Sequence, residues 1–83
     1  MPTYRAVVDV LLKRSILDPQ GRAVEATLRR LGNENVADVR VGKRVELTLE
    51  GERADVERQL EQIARNVLSN PVMEDVEINL EEG

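Results

Sequence analysis

The chain has 83 residues, 41% of them apolar and 34% charged, with Tyr4 as its single aromatic; the core is therefore aliphatic, and a lone domain of this size buries only about 60% of its unfolded-chain surface. With no Cys and no His, disulfides, thiolate nucleophiles, the usual zinc ligands and the commonest general base are all excluded. A net charge of −4 without an aromatic platform argues against nucleic acid and anionic membrane surfaces. No apolar run approaches the ~20 residues of a membrane helix and no export signal opens the chain, so a cytoplasmic location is expected.

Thr3 to Lys13 alternates as a strand, with Tyr4, Ala6, Val8, Val10 and Leu12 on one face. Val7 and Leu11 on the other face predict a central strand covered on both sides, the second cover coming from another subunit. The next stretch, Ile16-Leu-Asp-Pro-Gln-Gly21, turns that strand into a helix. Asp18 is the N-cap and Pro19 stands at N1, where its fixed φ suits a helix and its missing N–H costs nothing. Gly21 falls at N3, where glycine is unfavourable by roughly 1 kcal/mol against alanine; something must approach the backbone closely there. The helix runs to Leu31 with an apolar stripe of Ala23, Val24, Thr27, Leu28 and Leu31, and Gly32 ends it.

Val36 to Val41 and Val45 to Glu50 read as a hairpin turning at Gly42-Lys43. A three-residue loop, Gly42 to Arg44, sets Val41 against Val45, Val39 against Leu47 and Ala37 against Leu49, gathering the apolar side chains on one face. A second helix, Arg53 to Leu68, carries Val56, Leu60, Ile63, Ala64 and Val67 on one side, and its outer charges are a solvated face. Ser69-Asn70-Pro71 stops it, and a last strand spans Met73 to Leu80. The order is βαββαβ: an α+β, ferredoxin-like domain over residues 1–83 with two helices on one face of a four-stranded antiparallel sheet, its first and third strands central. Oligomerisation is expected to complete or cover that sheet.

No Gly-rich phosphate loop is present. Ser15 has no histidine to activate it, and neither Lys13 nor Lys43 has a pocket that would depress its pKa. The outward carboxylates Glu46, Glu50, Asp75 and Glu77 belong to solvated strand faces with no concave site between them. On these residues alone the chain is a small interaction module without chemistry of its own.

Two stretches sharpen this. Ile16-Leu-Asp-Pro-Gln-Gly21 followed by a helix closing at Leu31-Gly32, and then Val39-Arg-Val-Gly-Lys43 leading into Val45-Glu-Leu47, resemble the PurS family, the small subunit of phosphoribosylformylglycinamidine synthase. The resemblance covers nearly the whole chain. It implies a part in purine biosynthesis, in a ligase that converts formylglycinamide ribonucleotide, glutamine and ATP to the formylglycinamidine, glutamate, ADP and phosphate. It also implies that this subunit is non-catalytic, joins the glutaminase and synthetase subunits, and aids ammonia transfer. No cofactor or metal is expected on this chain, with ATP and magnesium on the synthetase subunit. The partners implied are a homodimer or homotetramer and the two large subunits, with no nucleic acid and no membrane. The family pattern falls on Asp18, Pro19, Gly21, Arg40, Gly42 and Lys43: Gly21 would admit a partner's backbone, while Arg40 and Lys43, at a hairpin tip, would present charge to it. A rival reading of the same βαββαβ order is a regulatory module that binds an amino acid or nucleotide at a subunit interface.

Overall fold

The structure, a computed structural model, describes residues 1–82. It contains strand β1 (Thr3–Leu12), helix α1 (Pro19–Arg30), strand β2 (Lys43–Glu50), helix α2 (Arg53–Asn66) and strand β3 (Glu74–Glu82). The α+β, ferredoxin-like arrangement of an antiparallel sheet with two helices holds, but the order is βαβαβ and the sheet has three strands, β2-β1-β3. β1 is central, as its double-sided apolarity implied. β2 pairs along it from Thr3↔Glu50 to Val10↔Lys43, and β3 from Tyr4↔Glu82 to Leu12↔Glu74.

The predicted hairpin does not form. Leu47 lies opposite Ala6 and Val45 opposite Val8 in place of the expected Val39 and Val41, so β2 is an edge strand. The segment from Val36 to Val41 has no ladder partner, and side chains meet the backbone group at each of its ends. Arg29 Nη2 donates to the Val36 carbonyl at 2.7 Å, and the Val41 amide donates to Asp18 Oδ2 at 2.8 Å. Ala37, which the hairpin register needed inside, is exposed.

The core lies on one face of the sheet. Tyr4, Ala6, Val8 and Val10 of β1 and Leu49 of β2 are buried beneath Val56, Leu60 and Ala64 of α2, and Val76, Ile78 and Leu80 of β3 pack at its margin. Each large aliphatic side chain so buried contributes about 1.5–3 kcal/mol. α2 lies over β1 and β3, leaving Val45 and Leu47 of β2 only half-buried. Its outward pairs, Arg53–Glu57, Asp55–Arg58 and Glu61–Arg65, are exposed and contribute little.

α1 does not lie on the sheet with α2. Gly21 is its only buried residue, and the molecule extends over 52 × 26 × 14 Å with a radius of gyration of 16.5 Å, whereas a compact chain of this length has about 12 Å. The C-terminus of α1 closes as predicted: Gly32 has φ +101°, and the Gly32 and Asn33 amides donate to the Arg29 and Leu28 carbonyls at 3.0 and 2.9 Å.

Candidate functional site

Five of the six residues singled out in the sequence meet where β1 ends and α1 begins, and Asp18 is the centre of that junction. It is 5% exposed. Oδ1 accepts the Gly21 amide at 3.0 Å, the capping bond its position predicted. Oδ2 accepts the amide of Val41, 23 residues further on, at 2.8 Å. One carboxylate thus ties the helix start to the segment 36–42, which runs past it as a strap. The Gly21 amide first, then the Val41 amide and the Arg40 charge, hold the Asp18 pKa below its ordinary value of 3.8, against the opposing effect of burial.

Gly21 is explained by the same strap. A Cβ there would stand 2.2 Å from the Val39 carbonyl oxygen and 2.7 Å from Asp18 Oδ2, so the backbone that approaches this glycine belongs to the chain itself. Gly42 is equally crowded: a Cβ would lie 2.4 Å from the Val10 carbonyl oxygen and 2.4 Å from Leu11 Cδ2. It lets the strap close onto β1 as β2 begins, in place of the hairpin turn expected of it.

Arg40 points inward. Its Nη2 donates to the Leu12 and Lys13 carbonyls at 2.7 and 3.0 Å, satisfying the end of β1 after its ladder has stopped. The guanidinium therefore serves the strap as a clamp, where the sequence reading had it displayed at a hairpin tip. Arg14 meets Asp38 at 3.1 Å across the outside of the strap. Lys43 is exposed at the first position of β2. With Glu74 it borders an open groove of about 300 Å³, floored by Val10 and Leu12 and ended by Asp18 and Pro19.

The surface that sequence reasoning missed is on α1. Val24 is 40% and Leu31 72% exposed, with Leu17 of the preceding loop at 62%; Ala23 and Thr27 are exposed beside them. A stripe at helical spacing reads as core because amphipathicity records an apolar face without recording what covers it. In chemical terms the junction offers hydrogen-bond scaffolding and apolar surface. Among the described residues no three His, Cys, Asp or Glu side chains stand together as a metal site, and no helix is long and apolar enough to cross a membrane.

Comparison with known proteins agrees with this picture. Residues 5–82 match the PurS family, described as phosphoribosylformylglycinamidine (FGAM) synthase. The chain is 48% identical over 77 residues to the phosphoribosylformylglycinamidine synthase subunit PurS of Mycobacterium leprae, covering 93% of this chain and 95% of the relative. Among solved structures, Bacillus subtilis PurS superposes with a TM-score of 0.88 at 40% identity, covering 95% of this chain and 99% of that one. A chain of the Thermotoga maritima PurLQS structure gives a TM-score of 0.88 at 28% identity, over 98% and 100% of the two chains. A match that spans the cap, the strap and all three strands is a match to the whole fold, and the chain belongs to the PurS family of phosphoribosylformylglycinamidine synthase subunits.

Proposed function

We propose that this chain works as the non-catalytic adapter of phosphoribosylformylglycinamidine synthase, holding the glutaminase and synthetase subunits in register so that ammonia released on one is used on the other. The observation that carries this reading is α1. It is anchored at its start by Asp18 and Gly21, stands off the sheet, and presents Val24 and Leu31 to its surroundings. A rigidly rooted helix with an uncovered apolar stripe suits docking. The Thermotoga maritima PurLQS structure, in which a similar chain occurs, supports the same role.

In this reading the chain acts as a homodimer or homotetramer in the cytoplasm, and ATP and magnesium belong to the synthetase subunit. Asp18, Pro19, Gly21, Arg40 and Gly42 shape the docking module from within, and Lys43 contributes charge at its border. Reconstitution tests it: glutamine-dependent amidine formation by the synthetase and glutaminase subunits is measured with and without this chain. A strong dependence is expected, and equal rates refute the adapter role. A thermal shift with a single amino acid or nucleotide, in the absence of the large subunits, would instead favour the regulatory-module reading.

A further inference from the structure

Burial divides the chain unevenly. Every buried apolar side chain of the core, from Tyr4 and Val8 to Leu60 and Ala64, lies outside the span from Arg14 to Val41, and within that span only Asp18 and Gly21 are buried. α2 packs on β1 and β3, while α1 makes no comparable contact with any strand or with α2. The polar links repeat the division. Residues 14–41 are tied to one another by the Gly21 and Val41 amides on Asp18, by Arg29 on the Val36 carbonyl and by Arg14 on Asp38. Among the described residues, only two groups hydrogen-bond from this span to the rest of the fold. The Ile16 amide donates to the Lys13 carbonyl at 2.9 Å, and Arg40 Nη2 donates to the Leu12 and Lys13 carbonyls at 2.7 and 3.0 Å. Among the same residues no ion pair crosses the division.

We infer that residues 14–41 form an arm that opens as one cooperative unit while the sheet and α2 stay folded, with the Arg40 guanidinium as its latch. A helix of 12 residues is marginal in water by itself, and α1 has no core to lean on, so its helicity depends on its cap and on the strap. Cooperativity follows from Asp18. Its two oxygens hold the helix start and the strap together, so losing that side chain's position frees both. Arg29 ties the far end of α1 to Val36 in the same way. Arg40 then carries the whole unit back to β1 through two charge-assisted bonds in a part-buried setting. A segment with so few buried apolar side chains opens well below the global unfolding free energy. The opening belongs to the chain itself, whatever docks on α1.

Hydrogen exchange of the full chain, followed amide by amide by NMR with small additions of denaturant, tests this. In the wild type, the amides of α1 and of Val41 are expected to exchange through one common opening with a weaker denaturant dependence than the amides of β1 and α2. Arg40→Met keeps the apolar stem and removes both bonds, and it should speed every amide of the arm by a common factor of about tenfold or more. Leu60→Ala is the counterpart. Leu60 is packed in both the closed and the open form, so this variant should speed exchange in β1 and α2 by roughly thirtyfold or more and leave the arm at its wild-type rates. Circular dichroism confirms that both variants fold. Leu60→Ala speeding α1 as much as α2 overturns the arm, and so does an equal denaturant dependence of α1 and α2 in the wild type, which needs no variant. Acceleration by Arg40→Met confined to the neighbours of Arg40 overturns the cooperative opening, and no acceleration overturns the latch.

Discussion

The Asp18 carboxylate accepts the Val41 amide at 2.8 Å while its other oxygen caps α1 through Gly21 at 3.0 Å. A residue that reads as a local helix cap is thus a long-range tie, and the direction in which α1 leaves the sheet depends on it. Replacing Asp18 by Asn keeps one acceptor oxygen and exchanges the other for a donor that faces the Val41 amide. The melting temperature is expected to fall by several degrees, and hydrogen exchange at the Val41 amide to accelerate far more than exchange at amides of β1, measured by amide exchange NMR.

The same carboxylate sets a pH dependence. Its folded pKa is lowered from 3.8, so the folded state binds this proton less readily than the unfolded one. The stabilisation is fully present above the unfolded value and is lost as pH falls through the folded value. Stability of the wild type and Asp18→Asn should therefore converge below pH 3.8 and differ at neutral pH. Chemical denaturation across that range checks the sign, and a gap that widens on acidification contradicts it.

Gly21→Ala places a methyl group 2.2 Å from the Val39 carbonyl oxygen. Helix propensity alone would make this substitution favourable by roughly 1 kcal/mol. Overpacking against backbone costs about 1–3 kcal/mol, so net destabilisation is expected, with chemical-shift changes concentrated in residues 36–42. A stabilised variant would show that the strap is free to move aside.

Leu60 is 2% exposed at the centre of the α2–sheet contact. Leu60→Ala is expected to cost about 2–5 kcal/mol, a large share of the stability of so small a domain, read as a lower denaturant midpoint with an unchanged slope.

Leu31, 72% exposed near the end of α1, separates stability from assembly. Leu31→Glu should leave the isolated chain within about 0.5 kcal/mol of wild type. Binding to the large subunits, followed by calorimetry, should weaken if the α1 stripe docks there. Unchanged affinity would move the docking surface elsewhere.

Much of this was legible in the residues. Both helices, the three strands and the burial faces of β1 and α2 follow from periodicity: Val56, Leu60 and Ala64 recur at helical spacing, and Tyr4, Ala6, Val8 and Val10 alternate. The cap at Asp18 and the stop at Gly32 were also local statements, since each concerns the backbone of its own neighbourhood, and Gly21 signalled locally that something comes close without saying what. Periodicity failed at Val36 to Val41 because a short apolar run records only that side chains are partly covered. Whether the backbone beside them bonds to a strand or to the side chains of Asp18 and Arg29 is a long-range choice.

Local signals in the chain therefore set both helices and the three strands around the aliphatic core, and where the first helix starts and stops, but they also called for a strand at Val36 to Val41 that does not form. Tertiary structure alone decided that Gly21 makes room for Val39, that Arg40 turns onto the Leu12 and Lys13 carbonyls, and that β2 is left as an open edge. The physical reason is one of range. Propensity, capping and amphipathicity act within a few residues, whereas the partner that satisfies a buried amide or covers an apolar stripe is chosen from the whole folded chain.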